Sequence, residues 1–175
     1  VSMPKFDAIV IGSGQAGNPL SQKLADQGWT VALIERERLG GTCVNTGCTP
    51  TKTMIASAQV AHYARSAARW GVQAANVRVD LPAIVARKDQ IVDNWRSGLE
   101  KKIRDRKNLH WYRAHARFVA PHRVRLGDEE LESDRIFIDA GARPNIPRIE
   151  GLDRIGYLTN SSIMELTELP EHLLI

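Results

Sequence analysis

The sequence has 175 residues, of which 43% are hydrophobic and 25% are charged, a balance that is typical of globular chains and excludes a disordered one. A chain of this length buries about 70% of its unfolded surface, so it needs no disulfide or metal ion to be compact. The formal net charge is +4, and much of the basic excess lies in residues 100–107, where interleaved acidic residues favour a solvated helix face over a nucleic-acid or membrane patch.

Membrane and secretory segments are not predicted. No apolar run approaches the roughly 20 residues of a membrane span. The first apolar run, at residues 8–11, is too short for a signal peptide and leads directly into glycines. We therefore expect a cytoplasmic protein with neither a nucleic acid nor a membrane as its partner.

The first 35 residues predict a βαβ unit. Phe6–Ile11 is a short apolar run, which indicates a buried strand. Leucine and alanine then recur at helical spacing as far as Gly28, a residue suited to end a helix. Thr30–Ile34 predicts a second buried strand, which ends at Glu35. Strand, turn, helix and strand in so short a stretch indicate a parallel pair with a right-handed crossover.

The turn between the first strand and the helix matches the dinucleotide fingerprint. Gly12 permits a tight turn, Gly14 lets a pyrophosphate approach the backbone, and Gly17 allows the helix to pack on the strand. Phosphates are favoured at such a helix N-terminus. Glu35 lies 21 residues after Gly14, at a distance suited to a ribose hydroxyl. The alternative is a glycine turn without a ligand, and the fingerprint alone does not separate FAD from NAD.

The rest of the chain completes an α/β prediction. Helices are expected over residues 50–70, closed by Gly71, and over residues 82–107, capped by Asp80. The apolar stripe of the second of these helices would comprise Ile84, Ile91, Trp95, Leu99 and Ile103. A small β-meander is expected at residues 111–119, 123–126 and 131–138. A tail with one short helix then leads to residues 171–175, which predict the start of another buried strand.

Residues 40–52 contain the only two cysteines, Cys43 and Cys48. A cysteine at the start of a helix favours the reactive thiolate, and cytosolic cysteine pairs are more often catalytic or metal-binding than structural. We interpret the segment as a redox-active dithiol that can face a flavin ring. Two alternatives are incidental buried cysteines and a metal site, for which further cysteines or converging histidines are lacking.

The same segment resembles the active site of the pyridine nucleotide–disulfide oxidoreductases. It follows the pattern Gly-Gly-Thr-Cys-x-Asn-x-Gly-Cys-x-Pro-x-Lys, and the branch of dihydrolipoamide dehydrogenase and mercuric reductase fits best. The resemblance extends from Phe6 to Ile175. It implies an α/β, Rossmann-like FAD-binding domain with a parallel sheet, a long helical excursion and a small antiparallel β-meander. Residues 3–150 would form this domain, and residues 151–175 would lead to the first strand of a missing NAD(P)-binding domain.

The resemblance also implies roles for individual residues. Cys48 would face the flavin as the charge-transfer thiolate, and Cys43 would exchange with substrate. Lys52 would lie beside the hydride-accepting nitrogen of the flavin. Residues 139–141 read Asp-Ala-Gly where the family has Ala-Thr-Gly, so the usual threonine is absent. The predicted cofactor-binding residues are Gly12, Gly14, Gln15, Ala16, Gly17, Glu35, Arg36, Gly41, Thr42, Lys52, His115, Ala116, Ala140 and Gly141, with His115–Ala116 holding adenine through the backbone.

The predicted activity belongs to a longer protein. FAD would accept a hydride from NAD(P)H, held by a domain beyond residue 175, and electrons would pass through the cysteine pair to a small-molecule or disulfide substrate. The intact protein would be a homodimer whose catalytic histidine comes from the partner's C-terminal domain. We expect this chain alone to be inactive with NAD(P)H and to have no metal ligands. The alternative is an FAD-binding regulatory or electron-transfer module without dithiol catalysis, and the electron acceptor stays open.

Overall fold

The computed structural model describes residues 3–175, which form two compact units. The first unit comprises the described residues up to Asn45 together with Asn94–Arg143, and the second comprises Thr46–Asp93 together with Pro144–Ile175. In chain order the strands and α-helices are β1 (Ala8–Ile11), α1 (Gly17–Asp26), β2 (Val31–Ile34), α2 (Gly41–Asn45), α3 (Cys48–Ser66), α4 (Leu81–Arg104), β3 (Leu109–Tyr112), β4 (Ala116–Ala120), β5 (Arg123–Leu126), β6 (Glu129–Glu132) and β7 (Ile136–Ile138). Short 3₁₀ turns follow at Ala67–Trp70, Leu152–Arg154 and Ser162–Glu165.

A four-stranded parallel sheet in the order β3-β2-β1-β7 forms the centre of the first unit. The strands are short and apolar, and the strands β1 and β2 are buried on both faces, as expected for a parallel sheet with two covered faces. The predicted parallel sheet and βαβ unit are thus confirmed.

The two faces of the sheet bury separate clusters because side chains alternate along a strand. One face buries Val10 and Leu33 with side chains of the helices, including Ile103 from the end of α4. The other face buries Ile9 and Ala32 together with apolar residues of the antiparallel strands; that cluster comprises Phe6, Ile9, Ala32, Ile34, Val124, Leu126 and Leu131. Full burial of each large aliphatic side chain stabilises the fold by roughly 1.5–3 kcal/mol.

The β-meander is smaller than predicted. Three strands, β4, β5 and β6, form an antiparallel sheet. The predicted strand at residues 111–119 is split between β3 and β4, and the predicted strand at 131–138 is split between β6 and β7. Each predicted strand therefore supplies one strand to the parallel sheet and one to the antiparallel sheet. The second break lies at Ser133, whose hydroxyl accepts from the amide of Arg135 at 3.1 Å and turns the chain.

The helix boundaries are close to those predicted. Helix α1 ends at Asp26 and is followed by Gly28, which has a φ of +88°. Helix α3 begins at Cys48, two residues earlier than expected, and its terminal 3₁₀ turn is closed by Gly71 with a φ of +75°. At the start of α4 the Oδ1 of Asp80 accepts from the amide of Ala83 at 3.0 Å, which confirms the predicted cap.

The predicted apolar stripe of α4 was wrong in part, and the predicted strand at residues 171–175 was wrong. In the part of α4 that belongs to the second unit, the buried side chains are Val85, Lys88 and Val92, and in the other part Trp95 is 58% exposed. In the first half of α4 the buried face is therefore shifted by about one residue from the predicted Ile84 and Ile91, since a buried lysine interrupts the apolar periodicity, whereas the predicted Ile103 is buried near the end of the helix. Residues 171–175 form no strand and are exposed, because no described strand pairs with them. Within residues 3–175 no helix is long and apolar enough to cross a membrane.

Candidate functional site

The candidate site of the first unit lies where the four parallel strands end. The chain continues the hydrogen-bonding ladder beyond each strand: Gly12 N donates to Ile34 O at 2.8 Å, and Glu35 N donates to Tyr112 O at 2.9 Å. Asp139 N donates to Ile11 O at 2.7 Å. In open α/β sheets the crevice beyond the carboxyl ends of the strands is where ligands bind. The structure therefore brings the residues after β1, β2, β3 and β7 to one edge.

The glycine turn can be built only from glycine at two positions. Gly12 has a φ of +101°, and a Cβ there would lie 2.0 Å from Asp139 O. A Cβ on Gly17 would lie 2.1 Å from Gly12 O and 3.1 Å from Val10 Cγ1. Because Gly12 lacks a Cβ, the turn can be this tight. Because Gly17 lacks one, α1 can lie directly against β1. These are the steric roles that the fingerprint predicts for its first and third glycines.

Glu35 organises the turn from the end of β2. Its Oε2 accepts from the hydroxyl of Ser13 at 2.7 Å and from the amide of Ser13 at 3.1 Å. Its Oε1 accepts from the amide of Glu37 at 2.9 Å. Ser13 is fully buried, so this charge-assisted pair fixes the turn at the point that faces the strand edge. The neighbouring Arg36 is exposed and lies 3.3 Å from Glu37 through its Nε.

The short helix α2 is held against the same turn. Gly40 N donates to the carbonyl and hydroxyl oxygens of Ser13 at 3.1 and 3.2 Å. A Cβ on Gly41 would lie 2.7 Å from the Cα of Gly14, so the two backbones are in close contact. Asn45 Nδ2 donates to the carbonyls of Gly41 and Leu39 at 2.9 and 3.0 Å. Cys43, which is half-buried, is thus carried beside the glycine turn.

Cys48 belongs to the second unit. It is exposed and is the first residue of α3, whose N-cap residue is Gly47. Lys52 lies one helical turn later and is also exposed, so the thiol and the ammonium share a face of α3. Thr53, on another side of α3, is buried, and its carbonyl oxygen accepts from Arg87 Nη1 of α4 at 3.2 Å. The thiol is therefore presented to solvent by a helix end that is fixed from behind.

The remaining predicted residues lie along the strand edge of the first unit. His115 is exposed and Ala116 begins β4, in a connection whose Ala114 N donates to Glu35 O at 3.1 Å. The structure thus places the connection between β3 and β4 beside Glu35. The other predicted residues of this unit that are exposed are Gln15, Ala16, Thr42, Ala140 and Gly141.

The residues fit a dinucleotide. The glycines leave the backbone of the turn open, with Gln15 and Ala16 exposed at the start of α1. A helix N-terminus of this kind offers amide donors and the positive end of a dipole to phosphate groups. Among residues 3–175, the buried Oδ1 of Asn45 is one of two buried side-chain polar atoms without a hydrogen-bond partner. An acceptor left open beside the turn is compatible with a polar ligand there.

Sequence reasoning missed two residues that shape the turn. Ser13 lies inside the fingerprint at a position that the motif leaves free, and its partner is 22 residues away. Asp139 accepts from the amide of Gly17 at 2.8 Å through its Oδ2, across 122 residues of sequence. The departure from Ala-Thr-Gly at residues 139–141 was the signal that could have identified Asp139.

One surface ion pair of the first unit lies at the far end of α1. Arg106 Nε and Nη2 donate to the two carboxylate oxygens of Asp26 at 2.7 and 3.0 Å. This hydrogen bond, opposed by partial desolvation and reinforced by the guanidinium charge, lowers the pKa of Asp26.

At the strand edge, burial and the nearby charge of Glu129 raise the pKa of Tyr112, which therefore stays neutral at physiological pH.

The parallel sheet, the glycine turn and the acidic residue after β2 define an α/β dinucleotide-binding fold. The family model for pyridine nucleotide-disulphide oxidoreductases matches residues 6–175. The chain therefore belongs to the pyridine nucleotide-disulphide oxidoreductase family.

Curated relatives agree with this assignment. A mercuric reductase of Streptomyces lividans is 36% identical over 97% of this chain and 37% of its own length. A mercuric reductase of Lysinibacillus sphaericus is 32% identical over 99% of this chain and 32% of its own length. The chain thus spans about a third of the length of these relatives.

A solved structure has the same fold. The Cu(II) complex of a variant of the HOCl-induced flavoprotein disulfide reductase RclA from Escherichia coli is similar with a TM-score of 0.82 and 32% identity. The likeness covers 96% of this chain and 36% of that one. The predicted family and fold class are confirmed, and the residue roles and the domain boundary at residue 150 stay predictions.

Proposed function

We propose that this chain is the FAD-binding part of an NAD(P)H-dependent disulfide oxidoreductase. The observation that carries the proposal is the close approach of Gly41 to Gly14, which holds the helix of Cys43 against the dinucleotide turn. A redox thiol beside a dinucleotide site has a cofactor to exchange electrons with. Family membership supports FAD and NAD(P)H as the pair of cofactors.

The proposed cofactor site is the strand edge of the first unit. The turn from Gly12 to Gly17 would take the pyrophosphate, Glu35 the ribose, and the backbone of His115 and Ala116 the adenine. When bound, FAD supplies a two-electron carrier between NAD(P)H and a thiol pair. Thr42 and Lys52 are two further predicted contacts of the flavin. The NAD(P)H-binding domain would belong to the longer protein, and two copies of that protein would form a homodimer.

The proposed work of the cysteines is disulfide exchange. A Cys43–Cys48 disulfide takes up two electrons and two protons and becomes a dithiol. The thiolate of Cys43 then attacks one sulfur of a disulfide substrate, and the first substrate thiol leaves. The thiolate of Cys48 attacks the Cys43 sulfur of this mixed disulfide, which releases the second thiol and restores the Cys43–Cys48 bond. Reduction of the cysteine pair followed by exchange with the substrate divides one difficult transfer into two easier steps.

The experiment counts thiols and flavin together. The wild-type protein is purified, its flavin is identified by absorbance, and its thiols are titrated before and after reduction by borohydride. We expect bound FAD and a gain of two thiols on reduction. Cys43→Ser and Cys48→Ser should keep the flavin and lose this gain, and two-electron reduction should give a long-wavelength band that Cys48→Ser lacks. Thr49→Ser, a conservative change on the same helix end, serves as the control and should behave as wild type.

Other outcomes separate the alternatives. Bound FAD with two thiols that never oxidise reversibly would favour an FAD-binding module without dithiol catalysis. A colourless protein that does not take up FAD would contradict the proposal as a whole. The electron acceptor is a small molecule in this proposal, with disulfides, lipoamide, mercuric ion and quinones as the classes to test on the longer protein.

A further inference from the structure

Asp139 places a carboxylate at the start of α1. Its backbone amide is fixed to the end of β1, since it donates to Ile11 O at 2.7 Å. Its Oδ2 accepts from the amide of Gly17, the first residue of α1, at 2.8 Å. The same oxygen lies 2.8 Å from the position that a Cβ on Gly14 would occupy. The carboxylate therefore lies against the glycine turn itself.

Helix α1 has no cap of its own. Its N-cap residue is Ala16, which makes no side-chain capping bond. A Ser, Thr, Asp or Asn normally fills this role and accepts from an amide of the first turn. Asp139, the residue that follows β7, accepts from the amide of Gly17 instead, although the two residues are 122 positions apart in sequence. The negative charge also interacts favourably with the positive end of the helix dipole.

We propose that Asp139 is a charged cap of α1 that stabilises the dinucleotide turn of the apoprotein and lowers the affinity of the turn for the FAD pyrophosphate. This rests on the proposed function. The carboxylate and the pyrophosphate are both anionic, and both are attracted to the same helix N-terminus. When a dinucleotide binds, its pyrophosphate and the Asp139 carboxylate both interact with the positive end of the α1 dipole, and the two negative groups repel each other. Asp139 is thus a positioning residue with an electrostatic cost to binding.

The test uses a substitution that separates the cap from the charge. Asp139→Asn keeps an oxygen that can accept from Gly17 N but removes the negative charge. Asp128→Asn is the matched control, because it changes the net charge equally at an exposed position in the turn between β5 and β6. The dissociation constant of FAD is measured with the apoprotein by flavin fluorescence, at about 20 mM and about 500 mM salt.

We expect Asp139→Asn to bind FAD about two- to fivefold more tightly than wild type at low salt, as a charge at a helix end predicts. The difference should shrink at high salt because the repulsion is screened. Asp128→Asn should bind as wild type. Equal or weaker binding by Asp139→Asn, or a gain that does not depend on salt, would overturn the proposal.

A second measurement requires no FAD. Asp139→Ala removes the cap, so the apoprotein should unfold about 2–4 °C below wild type, whereas Asp139→Asn should unfold close to wild type. An unchanged midpoint for Asp139→Ala would show that Asp139 is not the cap. If neither wild type nor Asp128→Asn bound FAD, the proposed function would fail, and this unfolding comparison would still decide the role of Asp139.

Discussion

The two cysteines lie in regions that are built differently. Cys43 lies on α2, where hydrogen bonds from Gly40 and Asn45 and the contact of Gly41 with Gly14 leave little freedom. Cys48 lies at the exposed N-terminus of α3, where the N-cap Gly47 makes no side-chain capping bond. One thiol is fixed by a dense set of backbone contacts, and the other is placed by a single helix.

The units that carry them differ in the same way. Among the described residues, the buried aliphatic and aromatic side chains belong to the first unit except for Pro50, Val85 and Val92. In the second unit, Val60, Tyr63 and Trp70 are 68%, 63% and 77% exposed. The first unit therefore owes its structure to a shared two-faced core, and the second owes more to local helix interactions. Substitutions at buried contacts should therefore cost more in the first unit than in the second, whereas surface pairs should matter little in either.

The largest effect is expected from Gly17→Ala in the first unit. The new methyl group would lie 2.1 Å from Gly12 O and 3.1 Å from Val10 Cγ1, so α1 must move away from β1. Overpacking typically costs about 1–3 kcal/mol and occasionally more, and we expect this substitution at the upper end because the contact is with backbone. Chemical denaturation of the apoprotein measures the loss. The control is Gly98→Ala in α4, where no atom lies within 4 Å of the new Cβ.

Gly98→Ala should stabilise the protein by up to about 1 kcal/mol, because alanine is the better helix former. Similar stabilities of Gly17→Ala and Gly98→Ala would mean that the turn can relax. The steric account of the fingerprint would then be wrong.

Local patterns in the sequence were sufficient to predict the βαβ unit. The apolar runs, the glycine turn and Glu35 lie within 35 residues, and each pattern has one structural solution. The cap at Asp80 was predictable for the same reason, since its partner amide is three residues away. The family of the chain followed from the residues around the two cysteines.

Contacts between distant residues could not be predicted. The alternation in residues 109–138 indicates strands but not which sheet each strand joins, so β3 and β7 were assigned to the meander. The buried face of the first half of α4 was missed because Lys88 occupies its middle and is 2% exposed. The hydrogen bond from Gly17 to Asp139 spans 122 residues, and its only signal in the sequence is the departure from the family's Ala-Thr-Gly at residues 139–141. Topology and long-range pairing therefore set the limit of the sequence prediction.

A smaller effect is expected from Lys88→Ala in the second unit. The buried stem is lost together with the contacts of Nζ to Asp89 Oδ1 at 2.7 Å and Glu165 Oε1 at 3.7 Å. We expect a loss of about 2 kcal/mol, mainly from the buried methylene groups. Both carboxylates remain largely exposed, so they stay hydrated without their partner. Hydrogen exchange of the amides in the first half of α4 measures the loss locally.

Lys88→Met separates packing from charge. It keeps the volume of the stem, and hydrophobic replacement of a buried ion is often neutral. We therefore expect most of the protection to return. If Lys88→Met lost as much protection as Lys88→Ala, the ion pairs rather than packing would stabilise this unit.

The smallest effect is expected from the Asp26–Arg106 pair on the surface of the first unit. The hydrogen bond from Arg106 lowers the pKa of Asp26, so the pair stabilises the folded state above the unfolded carboxyl value of about 3.9. This contribution is lost as the pH falls through the lower folded pKa. A double-mutant cycle with Asp26→Asn and Arg106→Leu should therefore give coupling at pH 6 that weakens as the pH is lowered below the unfolded carboxyl value. Exposed pairs contribute little, and added salt should weaken the coupling further. Coupling that persisted at low pH would have to come from the packing of the Arg106 stem on α1, and the first unit would then depend on apolar contact even at its surface.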